Sequence, residues 1–295
     1  MAERAARLER AQGAAARRFG RARRWAAALI AGAALFSAGD EALAFGACQA
    51  FTDRGGEARV IAARYDGAIA ADTLAITYVT HSTFLLQTPG GASLATDYAG
   101  YAGPGGPPTA VTMNNAHSTH YTMSPDPRIQ YVLRGWPAPE RERAEHRVEV
   151  ADLKVRNVST DVRDWDGGMR VNGNSIFIFE LGDLCVAHLG HLHHMPTAAH
   201  FAEIGFVDVV MAPVDGGLTL THAEMAEVLA RLEAKLVLPM HYFGPATLER
   251  FLTAHGAAFD VVFEESGTVL VSKDTLPRAP TMMVLAPRSV DLFDD

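Results

Sequence analysis

Twelve histidines in 295 residues are the first feature that could do chemistry, and they are not scattered. His117 and His120 follow a short apolar run, residues 110–113. His188, His191, His193 and His194 follow a second, residues 184–187, and His241 closes a third, residues 236–240. Imidazole is the commonest transition-metal ligand, and side chains at strand ends can converge on one centre. His117-x-x-His120, His188-x-x-His191 and His241 together therefore point to a site for zinc, iron or manganese. Any one of them alone would read as a helix cap or a solvated loop residue.

The elements that must position these side chains alternate in character. Residues 74–79, 83–88 and 93–97 are short β-rich runs separated by tight turns, and residues 128–133 and 153–158 read as further strands. Residues 161–174 are polar and Gly-rich, a candidate active-site loop carrying Arg163, Asp164, Trp165 and Arg170; an arginine there could bind a phosphate or carboxylate. Residues 176–181 and 184–187 suggest a hairpin across Gly182-Asp183. Beyond residue 187 helices and strands alternate, the clearest helix being 221–233. There Thr221 and Glu224 form a capping box and Met225, Val228, Leu229 and Leu232 share a face. The pattern is β-meander-like first and β/α afterwards, with no internal repeat.

Composition narrows the classes. Apolar residues make up 48% and charged residues 20%, the balance of a packed globular chain rather than a disordered or multi-span membrane protein. Two cysteines cannot build a disulfide scaffold, and Cys185, inside an apolar run, reads as a buried free thiol. Residues 1–24 carry a net of +6 on a chain of net −8, so the remainder carries −14. No basic stripe with interleaved aromatics suggests nucleic acid. A short uncharged run (25–37) and Ala42-Leu43-Ala44 follow the basic block, as in a secretory signal peptide. The expectation is an N-terminal signal or anchor over 1–44 and one domain over 45–295. The protein would be exported, periplasmic or membrane-anchored, touching a membrane only through that segment, or cytoplasmic if the segment is no signal.

Motif order and spacing resemble the metallo-β-lactamase fold, in its lactonase-like and phosphodiesterase-like branch. Residues 76–97 (ITYVTHSTFLLQTPGGASLATD) look like its opening hairpin, with His81 and Asp97 at the ends. Residues 111–121 stand at the His-x-His-x-Asp-His motif, residues 184–194 (LCVAHLGHLHH) at His-x-Gly-Asp, and 239–242 (PMHY) at the final metal histidine. The resemblance implies an α/β fold, a four-layer αββα sandwich, and a dinuclear site.

The motif itself is altered. Asn115 stands at its first histidine, Thr119 at its aspartate and His191 at the bridging aspartate, while His117, His120, His188 and His241 are kept. Two dications held close by neutral ligands repel strongly, so one ion is expected rather than two. The expected ligands are three or four of His117, His120, His188, His191 and His241, with Asn115 as a further oxygen donor. His81, Asp97 and Thr119 stand behind them. His193 or His194 would serve as base or proton shuttle, and Tyr242 as an oxyanion donor. The implied activity is hydrolysis of an ester, lactone or phosphodiester bond in a small molecule by metal-activated water. The other readings are a non-catalytic metal-binding or sensing relative and oxygen chemistry at an all-histidine iron site.

Overall fold

The structure is a computed structural model and describes residues 67–164 and 166–287. The expected signal or anchor, its boundary at residue 44, Cys48 and Trp165 lie outside the described residues. Two β-sheets face each other. The first contains β1 (Leu74–Thr80), β2 (Thr83–Gln87), β3 (Ser93–Ala95), β4 (Ala110–Met113), β5 (Tyr131–Arg134) and β13 (Thr268–Val271), in the order β13-β1-β2-β3-β4-β5. The second contains β6 (Arg147–Val150), β7 (Leu153–Arg163), β8 (Met169–Leu181), β9 (Leu184–His188), β10 (Val209–Pro213), β11 (Leu236–Met240), β12 (Asp260–Glu264) and β14 (Thr281–Leu285). Its order is β12-β14-β11-β10-β9-β8-β7-β6.

Strand periodicity builds the layers. Side chains alternate across a strand, so Phe177 and Phe179 of β8 enter the core between the sheets while Ile176 and Ile178 enter the core beneath the helices. In β11, Leu236, Leu238 and Met240 face one core and Val237 the other. Among the described residues three α-helices cover the eight-stranded sheet: α1 (Ala198–Ile204), α2 (His222–Leu232) and α3 (Pro245–His255). Helix α2 starts at the expected capping box, with Thr221 and Glu224 bonding reciprocally, and buries Met225, Val228, Leu229 and Leu232. Phe179 is fully buried, and truncating such a side chain to alanine costs about 3–5 kcal/mol.

Some expectations are corrected. The polar segment 161–174 is not a free loop but the tip of the β7–β8 hairpin, paired through Val162↔Arg170 and Arg163↔Met169. Its polarity reflects exposure at the tip, not lack of structure. The strand expected from residue 128 begins at Tyr131, because Arg128 folds back onto the Asp126 carboxylate at 2.7 Å. Strand β14 was not anticipated; it inserts between β11 and β12 with parallel pairing to both. Cys185 is disulfide-bonded, not a free thiol.

Candidate metal centre

The site is assembled where strands end. His81 follows β1, Asp97 lies two residues past β3, and His120 closes the turn after β4. His191 lies three residues past β9, Asp215 two past β10, and His241 directly follows β11. Most of these strands run parallel, which brings their carboxyl ends to one edge. His81, Asp97 and His241 have left-handed backbones, with φ of +44°, +49° and +60°. Such conformations cost on the order of 1–3 kcal/mol each and persist where flanking structure over-determines them. Here the flanking strands are almost wholly buried.

His81, His120 and His241 each offer a ring nitrogen, and these atoms all lie within 4.8 Å of one another. The rings of His120 and His241 stack 9° from parallel, with their Nε2 atoms 3.3 Å apart. Each ring is held from behind. His120 Nδ1 donates to Asp97 Oδ2 at 2.5 Å, and His241 Nδ1 donates to Asp215 Oδ1 at 3.0 Å. With the protons fixed on Nδ1, the two Nε2 lone pairs face each other, an arrangement that calls for a cation between them. His81 Nε2 and His191 Nδ1 are buried without a hydrogen-bond partner. The His191 ring lies 4.4 Å from that of His120 and 4.8 Å from that of His241, and His117 stacks on it at 5.6 Å. Neutral imidazole nitrogens turned toward one point, with carboxylates fixing the tautomers, fit a divalent transition metal.

The electrostatics agree with that fit. Burial pushes the Asp97 carboxyl up, but the charge and hydrogen bond of His120 outweigh it and hold it below the usual range. Asp215 is likewise raised by burial and lowered further by hydrogen bonds from His241, Thr219 and backbone amides. Its Oδ2 accepts the N–H groups of Gly217, Leu218 and Thr219, an anion nest. Burial, then His241 and His120, lower His81 to about 3. Burial, then neighbouring histidines, lower His191 as well. These rings stay neutral and ready to ligate near pH 7.

The structure gathers some of the sequence-picked residues and sets others apart. His117, His120, His191 and His241 come together. His81, expected behind the ligands, stands among them, and Asp97 stands behind His120. His188 does not face the centre: its Nε2 donates to the Ser82 carbonyl at 2.8 Å, and its Nδ1 accepts from Asn114 Nδ2 and the Gly190 amide, both at 3.1 Å. Fully buried, with both nitrogens engaged, it is a strut rather than a ligand. Asn115, expected as a further oxygen donor to the metal, accepts a hydrogen bond at Oδ1 from Arg170 Nη2 at 3.0 Å. Thr119 is exposed, and its hydroxyl pairs with His117 Nδ1.

The expected base and oxyanion residues also shift. His193 Nδ1 accepts the Arg163 amide at 2.7 Å, so in the neutral ring Nε2 carries the proton, and it is buried without a partner. Burial and then Arg163 lower its pKa to about 4, so the ring is neutral near pH 7. His194 does not line the cavity in front of the cluster. Tyr242 does not line it either; its ring packs against both cores and its hydroxyl pairs with Tyr78. Sequence reasoning missed Asp215, whose signal was an Asp-Gly-Gly turn just past a buried strand.

The cavity measures about 380 Å³ and is rimmed by Phe243 and Leu218, both exposed.

Comparison with known proteins fits this geometry. A family profile described as a beta-lactamase superfamily domain matches residues 75–241. A UPF0173 metal-dependent hydrolase of Pyrococcus horikoshii is 32% identical over 26% of this chain and 35% of that protein. A UPF0173 protein of Pyrococcus furiosus is 24% identical over 45% of this chain and 65% of that protein. The chain thus spans less than two thirds of either relative's length. Among solved structures, a Thermotoga maritima protein described as a zinc-dependent hydrolase of the metallo-β-lactamase superfamily superposes with a TM-score of 0.51. It is 26% identical and is matched over 72% of this chain and 97% of that one. A Parabacteroides distasonis protein, 14% identical with a TM-score of 0.50 over 75% of this chain and 100% of that one, shares the fold. A profile spanning more than half of the chain, over the strands that carry these histidines, shows that this protein belongs to the metallo-β-lactamase superfamily.

Proposed function

We propose that this protein is a metal-dependent hydrolase of a small-molecule ester, lactone or phosphodiester, working with one divalent cation, zinc before iron or manganese. The observation that carries this reading is the facing pair of Nε2 atoms on His120 and His241, 3.3 Å apart and each backed by a buried carboxylate. His81 and His191 complete the donor set, with His117 beside them. Borderline-soft imidazole nitrogens suit zinc. A dication held there supplies Lewis-acid polarisation of a substrate oxygen and acidifies water.

The chain's own residues do the rest. Asp97 and Asp215 hold the ligand rings in one tautomer. His193 Nε2–H donates to an oxygen entering the cavity. Phe243 and Leu218 cover its rim and limit water. Among the described residues the grouped donor atoms all belong to histidines, with Asp97 and Asp215 held behind the rings, so no carboxylate bridges two dications there and a single ion is favoured. The names of the relatives support a hydrolase.

A non-catalytic metal-binding relative is the second reading, favoured by Thr119 at the motif position that would accept a proton from water. We also propose export. The basic and apolar N-terminal segments support it, as does a disulfide at Cys185, a bond of oxidising compartments. Among the described residues no helix is long and apolar enough to cross a membrane.

The test is elemental analysis of wild type and Asp215→Asn, followed by ester, lactone and phosphodiester assays. Close to one zinc per chain is expected. Zinc affinity should fall by about 10–100-fold in Asp215→Asn, as is typical when a ligand histidine loses its carboxylate. Two ions per chain would overturn the mononuclear site. One ion without turnover of any of the three bond types would leave the binding protein.

A further inference from the structure

The cavity in front of the histidines has a second, cationic wall. Arg170, exposed at the start of β8, lines the cavity, and its Nη2 donates to Asn115 Oδ1 at 3.0 Å. Asn115 is itself fixed by a backbone bridge to Asn174. Arg170, Asn115, His117, His191 and His193 line one cavity.

Arg163 lines it too, but its Nη2 is committed to the carbonyls of Gly217, Leu218 and Thr219. Asp164 is the one carboxylate among the described lining residues and offsets a single positive charge. A guanidinium has five N–H donors in a planar fork that matches carboxylate and phosphate oxygens. Asn115 takes one of these donors and orients the plane. A cation beside Asn115 would face this fixed positive charge at close range, so that side of the cavity is set up for an anion instead.

We infer that Arg170 is the oxyanion-binding residue of this cavity. It pairs with a carboxylate or phosphate group of the substrate while the bond to be cleaved lies against the histidines. The last part rests on the proposed hydrolase, whereas oxyanion binding itself does not. Asn115 is the positioning residue that aims the guanidinium.

The experiment titrates inorganic phosphate and, separately, acetate into the zinc-loaded and metal-free full chain by calorimetry. Wild type should bind at least one of them, and the stronger ligand names the group. Arg170→Ala should weaken that binding by about tenfold or more, and Arg170→Lys should recover part of it as a point charge without the fork. Zinc content and melting temperature should not change in either variant. Equal affinity in wild type and Arg170→Ala would overturn the inference, as would no binding of either anion to wild type below about 10 mM. Arg170-dependent binding in a protein that takes up no zinc would sustain the inference while the hydrolase fails. Zinc uptake with Arg170-independent binding would do the reverse.

Discussion

His120 and His241 stack with ring planes 9° apart, and each is backed by its own buried carboxylate, Asp97 and Asp215. The two rings come from opposite sheets, His120 after β4 and His241 after β11. A cation held between them ties the sandwich together at its open edge, so metal binding adds to folding stability.

His241 and His188 should therefore respond differently to truncation. His241→Ala should abolish metal uptake. His188→Ala should keep the metal but take one hydrogen bond each from the Ser82 carbonyl, the Asn114 amide and the Gly190 N–H, at about 0.5–1.5 kcal/mol per bond. In a domain of this size each kcal/mol lowers the melting temperature by roughly 2–4 °C. Metal analysis and thermal melts on both variants check this. A His188→Ala protein that melts normally but binds no metal would reverse the two roles.

Acid should weaken the metal-free protein from pH 6.5 downward. Burial lowers His81 to about 3 and His193 to about 4, and it also lowers His188 and His191. Between those values and the unfolded value near 6.5, the unfolded chain binds protons that the folded one refuses, so stability falls as pH falls. Asp97 and Asp215, held below the usual carboxylate range, add a second loss with the same sign below about pH 4. Melting temperature against pH, with metal chelated, measures both. His191→Gln should flatten the upper limb, and a level profile from pH 7 to 5 would contradict the burial of neutral imidazoles.

Gly190→Ala should destabilise the protein and disturb the site. Gly190 has φ of +63°, and a Cβ there would sit 2.6 Å from both Asn114 Nδ2 and Asn174 Oδ1. The left-handed backbone alone costs about 1–2 kcal/mol for a residue with a Cβ, and the overlap adds to it. Displacing Asn114 and Asn174 would also move His188 and the His191 amide that bonds Asn174. Denaturant melts and metal titration should both register the change, and an unaltered melt would show that the two amides can yield.

Much of this was legible in the sequence because strand ends are local signals. The histidines after residues 113 and 240 announced themselves by ending apolar runs, and the capping box of Thr221 and Glu224 marked α2 within a residue. What was hidden depends on side-chain direction. His188 and His191 stand three residues apart, yet Gly190 turns the chain between them, so one ring points into the core and the other into the cavity. Asp215 stands next to a histidine 26 positions away, a relation made by the parallel pairing of β10 and β11. Asn115 read as an oxygen donor to the metal, and its bond to Arg170 was hidden because Arg170 belongs to a hairpin tip that looked like a loop.

That tip has one more consequence. Arg163 clamps it to the carbonyls of Gly217, Leu218 and Thr219, and the amides of the same three residues hold the Asp215 carboxylate that orients His241. The turn is thus the structural element that the hairpin and His241 share, and any coupling between an anion on the hairpin side and a cation at His241 has to be equal in both directions.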